Sequence, residues 1–314
     1  MSKSKKIVVF GGSGFLGSHV ADALTEAGHD VAIFDLRPSK FLQKNQKMIV
    51  GDILNAQKVV DAVQGCEIIY NFAGFSDLDD ASIKPIDTIQ LNILGNTVVM
   101  NAALKAKVER FIYASTIYVY SEKGGFYRCS KQSSELYIEE YHRAYRLDYT
   151  ILRFSTLYGP RADERNSIYR YLKQALTAGR IDYNGTGEEV RDYIHVKDAA
   201  SLSVKILDEQ FKNMPITISG HHPVKFKEMV ETVREIIGKD IKINYKDRSN
   251  STAHYMYTPY SFTPRVGHKL TDTMYTDMGQ GLLECLHGIN GDLDDPNDKN
   301  SPDEVREMNL NPTK

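Results

Sequence analysis

The chain has 314 residues, 41% hydrophobic and 25% charged, with a formal net charge of -2. This is globular composition, long enough for one large α/β domain or a domain with a smaller lobe, and its near-neutral charge gives no footprint for nucleic acid or an anionic membrane. No apolar run approaches the roughly 20 residues that span a bilayer, MSKSKK leads straight into IVVF without a signal-peptide core, and Cys66, Cys129 and Cys285 form neither a disulfide framework nor a metal spacing, so no metal is expected and the expected compartment is the reducing cytoplasm.

Short apolar runs at Ile7–Phe10, Val31–Phe34, Met48–Val50, Ile68–Phe72, Arg110–Ala114 and Tyr149–Phe154 alternate with helical patterns. Near-continuous apolar strands separated by helices predict a parallel sheet covered on both faces, the doubly wound α/β architecture. The rhythm changes near Gly159. Helical stretches at Ser167–Ala178, Lys197–Asp208 and Phe226–Ile237 are interleaved with strands such as Ile216–Ser219 and Ile241–Tyr245. We expect a dinucleotide-binding domain over residues 1–160 and a smaller substrate-binding lobe over 161–289, with some segments returning to the sheet. A polar, acidic tail over 290–314 is expected to be disordered.

The stretch IVVFGGSGFLGSHVADALTEAGHDVAIFD places Gly11, Gly14 and Gly17 between a strand and a helix. Glycines there permit a tight turn, close approach of a pyrophosphate and close helix–sheet packing. The helix start offers free N–H groups and a positive dipole end, so Ser13, Phe15 and Leu16 join the glycines as cofactor contacts. Asp35 ends the second strand, where a carboxylate accepts ribose hydroxyls and repels a 2′-phosphate. Arg37 argues the other way; Asp35 carries more weight, and NAD is the expected cofactor. Asp52, with Ile53 beside it, either meets the adenine or caps the next helix.

From Lys6 to Ile289 the chain resembles the extended short-chain dehydrogenase/reductase family, the sugar-nucleotide epimerases and dehydratases. The resemblance rests on the glycine loop, NFAG at Asn71–Gly74, Pro85, Asn92 and Gly95 in KPIDTIQLNILGN, FIYASTIYVY, the Tyr127–Lys131 spacing, ILRFSTLYGPR and VRDYIHVKDAA. It implies that Tyr127 is a general base for a sugar hydroxyl, that Lys131 stabilises its phenolate and holds the nicotinamide ribose, and that Thr116 shares the substrate hydroxyl. It also implies cofactor contacts from Phe72, Ala73, Gly74 and Asn92, and a nucleoside-diphosphate sugar gripped by Arg191. Arg265 is a second diphosphate contact or a surface cation. Thr156, where the family more often has Asn, and Asn166 are candidates for sugar or diphosphate. Ser76 and Asp77 meet the sugar or belong to a solvated loop. A homodimer formed by the long helices after Asp87 and Lys131 is implied as well.

Two departures narrow the chemistry. The resembled dehydratases and decarboxylases place carboxylates just after the catalytic hydroxyl, whereas here Ile117 and Tyr118 follow Thr116. The segment between Thr116 and Tyr127 is also shorter than usual, which predicts an open pocket mouth. Hydride chemistry at C4 is left, as a 4-epimerase or 4-dehydrogenase. The alternatives are a 4,6-dehydratase or 4-ketoreductase, and a non-catalytic dinucleotide-binding protein, which would not need the retained Tyr127 and Lys131. His195 is expected to be a packed structural histidine.

Overall fold

The computed structural model describes residues 4–246, 255–259, 267–272 and 274–293. In chain order the elements are β1 (Lys6–Phe10), α1 (Phe15–Glu26), β2 (Asp30–Asp35), β3 (Lys47–Val50), α2 (Ala56–Ala62), β4 (Ile68–Asn71), α3 (Leu78–Ile83), α4 (Pro85–Thr88), a π-helical stretch (Ile89–Gly95), α5 (Asn96–Ala106), β5 (Arg110–Thr116), a 3-10 turn (Ile117–Tyr120), α6 (Gly125–Tyr145) and β6 (Tyr149–Phe154). The second part adds β7 (Thr156–Tyr158), α7 (Ser167–Ala178), β8 (Arg180–Asn184), β9 (Val190–His195), α8 (Val196–Lys205), β10 (Met214–Ile218), β11 (Pro223–Lys225), α9 (Phe226–Ile237), β12 (Lys242–Lys246), β13 (His268–Leu270) and α10 (Met278–Leu293).

Eight parallel strands form the main sheet in the order β3-β2-β1-β4-β5-β6-β10-β13. The chain winds outward from β1 in one direction and from β4 in the other. Its switch point lies between them, and a crevice opens there beyond the strand ends. The central strands are buried along their length, every residue of β4 and β6 included, which explains their unbroken apolar runs. On one face Val20, Ala21 and Leu24 of α1 pack with Ala199, Ala200 and Leu202 of α8 against Val9, Tyr70 and Leu152. On the other, Val59 of α2, Val99 and Met100 of α5 and Ile138 of α6 cover Phe10, Phe111 and Ile151.

Strand β10 and helix α8 return to the main sheet and its flank. A third cluster, with Leu172 of α7, Phe226 and Val233 of α9 and Leu282 of α10, holds the smaller lobe. There β9 pairs in parallel with β7 and antiparallel with β11, and β8 pairs with β12. Asn290 to Leu293, assigned above to the tail, continue α10; the rest of the expected tail lies outside the described residues. No helix among the described residues is long and apolar enough to cross a membrane.

Candidate active site

The glycine loop joins β1 to α1 as its sequence predicts. Gly11 has φ +74°, and a Cβ on it would stand 2.6 Å from the Ala73 nitrogen, so a side chain is excluded by conformation and by the neighbouring strand end. A Cβ on Gly17 would meet the Gly11 carbonyl oxygen at 2.2 Å. Gly14 stands at the N-cap of α1, where no side chain bonds the free N–H groups of the first turn and no acidic residue competes for them. That cradle suits a pyrophosphate. Within the first turn of α1, Phe15 packs edge-on to His19 and Leu16 joins the core beneath.

At the end of β2 the Asp35 carboxylate accepts the Ser13 N–H at 3.0 Å and the Arg37 N–H at 3.3 Å. It faces the glycine loop, while Arg37 is exposed. Asp52 is exposed and accepts the Leu54 N–H; the side chain that caps α2 is Asn55. Ile53 belongs to the core, and a Cβ on Gly95 would stand 3.0 Å from its side chain. Phe72 stacks on Tyr70, and the Ala73 N–H donates to the Asn71 side chain. Asn92 is buried in the π-helical stretch. Its Oδ1 accepts the Phe75 N–H, and its Nδ2 donates to the Phe75 carbonyl and to Ser130 Oγ. The Asn92 amide thus has partners within the chain at both its nitrogen and its oxygen, which pins the loop after Gly74 to α6.

Thr116 closes β5, and its Oγ1 accepts the Tyr118 N–H, which starts the 3-10 turn. Gly124, with φ +94°, reverses the chain into α6. That helix brings Tyr127 and Lys131 onto one buried face, 8% and 6% exposed. Burial pushes the Tyr127 phenol up to about 12, and the hydrogen-bonded Thr116 hydroxyl opposes it. Burial pushes the Lys131 ammonium down to about 7, and Glu135 opposes it. Lys131 Nζ donates to the Ala114 carbonyl at 2.7 Å and lies 5.9 Å from the Tyr127 ring centroid. In the chain by itself desolvation dominates the phenol, and the Lys131 ammonium is turned toward the strand end.

These side chains converge at the carboxyl ends of β1, β4 and β5, beside a buried Tyr and Lys and a cradle for pyrophosphate. Residues 7–218 match the sequence profile of the NAD dependent epimerase/dehydratase family. The chain belongs to this family.

Members of the NAD dependent epimerase/dehydratase family with differing chemistry resemble the chain to similar degrees. It is 26% identical to a dTDP-D-glucose 4,6-dehydratase of Mus musculus, over 74% of each chain. It is 27% identical to a UDP-N-acetyl-alpha-D-glucosaminuronate decarboxylase of Bacillus cytotoxicus, over 76% of this chain and 82% of that one. Among solved structures, the UDP-glucose 4-epimerase of Thermotoga maritima with UDP-glucose superposes with a TM-score of 0.79 at 25% identity, covering 92% of this chain and 99% of that one. The chain is thus an enzyme of an NAD-dependent family with the family's Rossmann-like fold.

On the lobe side, the Arg191 guanidinium lies 4.3 Å over the Tyr255 ring and donates to the Val190 carbonyl. Tyr255 is 5% exposed, hydrogen-bonds Thr156 and packs 4.9 Å from Tyr118. Tyr118 in turn meets Tyr127 edge-on at 6.4 Å. Thr116, Tyr127, Thr156 and Arg191 are thus linked through two aromatic rings that sequence reasoning did not single out. In the sequence Tyr118 marks only the absence of a carboxylate, and Tyr255 lies in a segment without a motif.

Asn166 is occupied by the backbone around it. It caps α7 through the Tyr169 N–H and donates to the Leu157 carbonyl. Ser76 is exposed beside Asp77, which accepts the Asp80 N–H at the start of α3. Arg265 lies outside the described residues. A cavity of about 200 Å³ lies away from the site, between α8 and the segment before α10. Its Asp198 is taken by Thr276, and its Asp277 caps α10. His195 is 1% exposed and packs edge-on to Tyr158.

Proposed function

We propose that this chain oxidises the C4 hydroxyl of a nucleoside-diphosphate sugar, as a 4-epimerase or 4-dehydrogenase. The supporting observation is Tyr127 and Lys131 on one buried face of α6 with the buried Thr116 hydroxyl hydrogen-bonded to Tyr127, and Ile117 and Tyr118 where loss of water would need proton-transfer carboxylates. Ile117 is buried in a small cluster with Val119, Tyr120 and Tyr255. Tyr118 offers an aromatic edge to Tyr127.

NAD fits the cradle formed by Gly11, Gly14, Gly17 and the uncapped start of α1, with Asp35 for the adenosine ribose. When bound, it accepts hydride from the sugar carbon and can return it. The residues do the rest. Thr116 hydrogen-bonds the reacting hydroxyl, and Tyr127 takes its proton as phenolate. Lys131 stabilises that charge and the ribose, and Arg191 binds the diphosphate through its planar fork. Since the phenol of the chain alone sits near 12, the bound cofactor and substrate must favour the phenolate, by positive charge or by hydrogen bonding.

The active form we propose is a homodimer in a reducing, cytoplasmic compartment. Ile83, Ile86, Ile89 and Leu94 are exposed along α3 to the π-helical stretch, and Leu136 and Tyr137 along α6. A second copy packed across these helices would cover a contiguous apolar surface.

The deciding experiment incubates the protein with a panel of nucleotide sugars in deuterated water and follows mass and NMR. A 4-epimer without deuterium at C5 indicates the epimerase, and a 4-keto product with reduced cofactor the dehydrogenase. A 4-keto-6-deoxy product overturns the proposal.

A further inference from the structure

A buried carboxylate stands one helical turn beyond Lys131. Glu135, 4% exposed, shares the face of α6 that carries Tyr127 and Lys131. Its Oε1 accepts the Ser115 hydroxyl and Arg153 Nε at 3.1 Å, and its Oε2 accepts Arg153 Nη2 at 2.6 Å. Ser115 precedes Thr116 on β5, and Arg153 lies opposite Ser115 in the register of β6. Arg153 is 1% exposed, donates Nη1 to the Tyr120 hydroxyl and lies 4.7 Å from that ring. The Tyr120 hydroxyl accepts the Gly267 N–H at 2.7 Å. On the other side of Ser115, the Ala114 carbonyl accepts the Lys131 ammonium. One turn of α6 thus clasps the strand end Ala114–Thr116 at two points.

A buried Glu–Arg pair is commonly no more stabilising than apolar side chains of the same shape. A joint that only held helix to sheet would not need one. What the carboxylate adds is charge. Lys131 and Arg153 are both buried cations, and Glu135 acts on both. Among the described residues, the other titratable groups facing Lys131 are phenols: Tyr113 of β5, 4.6 Å below its Nζ, and Tyr127 of α6. Burial holds both protonated, so neither supplies a countercharge.

The geometry points to Glu135 as a positioning residue: held by Arg153 and Ser115, it supplies the countercharge of the Lys131 ammonium and sets that ammonium against the strand end that carries Thr116. Burial alone drives Lys131 toward the neutral amine, and Glu135 opposes this. The catalytic meaning of the arrangement rests on the function proposed above; its electrostatics do not.

The test is the titration of Lys131, which needs no substrate. In protein labelled with ε-¹³C-lysine, the Lys131 signal is identified by its loss in Lys131→Arg and followed with pH. The wild-type midpoint is expected near 7. Glu135→Gln should lower it by about one pH unit or more, and Arg153→Met should raise it. A purely structural joint predicts the same direction for both, because loosening admits water and returns Lys131 toward an ordinary lysine. Shifts in the same direction, or no shift in Glu135→Gln, overturn the proposal. If Glu135→Gln does not fold, the double variant Glu135→Met/Arg153→Met is compared with Arg153→Met. A lower midpoint in the double variant supports the countercharge, and an equal or higher one overturns it. Inactivity toward every nucleotide sugar would sink the proposed function and leave this titration standing.

Discussion

Tyr127 is an unpromising base on its own, since burial raises its phenol to about 12 while its ordinary value is 10. Its worth lies in its place, hydrogen-bonded to Thr116 on a helix whose start is fixed by Gly124. Replacing it with Phe keeps the packing against Tyr118 and removes the hydroxyl with its bond to Thr116. Turnover of Tyr127→Phe should fall at least about a hundredfold, with an unchanged thermal melt; near-normal turnover would remove Tyr127 from the mechanism. Asp35 makes a separate prediction. Its carboxylate bonds the backbone of Ser13 and Arg37, so it lies against the glycine loop. Asp35→Ser should weaken NAD binding about tenfold, from the loss of charge-assisted bonds worth about 1.5 kcal/mol or more. The same variant should bind NADP better, because Arg37 then faces the 2′-phosphate without an opposing charge. Fluorescence titration of both nucleotides measures this, and unchanged preference would show that Asp35 does not read the ribose.

Helix α1 owes its position to a contact with no slack. A methyl on Gly17 would overlap the backbone oxygen of Gly11, and backbone cannot rotate away as a side chain can. Gly17→Ala should therefore push α1 off β1, costing about 1–3 kcal/mol in denaturant melts and abolishing cofactor binding. Gly14→Ala makes a useful contrast, since its Cβ would stand a looser 3.2 Å from the same oxygen. It should melt nearly as wild type yet bind NAD more weakly; equal destabilisation by the two would refute this account of the loop. Such elements were readable because their signals are local. The glycine spacing, the apolar run of β6 and the termini of α7 at Ser167 and Ala178 are written in neighbouring residues. Tyr255 reaches Tyr118 and Arg191 across a span of chain that no period records, and Glu135 meets Arg153 only once two strands are in register. The π-helical stretch at Asn92 was unreadable for a similar reason: it is fixed by tertiary bonds to Phe75 and Ser130, not by propensity.

At the scale of the whole molecule, the exposed isoleucines of α3 to the π-helical stretch and Leu136 of α6 predict a dimer. Light scattering at micromolar concentration should give twice the chain mass of 35.5 kDa, and Leu136→Glu should shift it toward monomer. A second global property concerns acid. His19 on α1 is 8% exposed, and its Nε2 bonds the Pro160 carbonyl at 3.0 Å, tying the first helix to the chain that leaves the main sheet. Burial pushes its pKa down to about 4 from an ordinary 6.5, the Pro160 bond opposes this, Arg161 lowers it further and Asp22 raises it. Burial likewise lowers His29 and His195. A histidine whose folded pKa lies below its unfolded value binds protons more readily once the chain is open. Its contribution to stability is intact above about 6.5 and is lost progressively as the pH falls toward 4. A displacement of this size corresponds to about 3 kcal/mol. Gln in place of His19 keeps an N–H for Pro160 and cannot be protonated. Urea melts of wild type and His19→Gln, each at neutral pH and near pH 4.5, should show the variant losing less stability on acidification. Equal losses would mean that His19 is already solvated in the folded chain, and that the joint between α1 and Pro160 opens without cost.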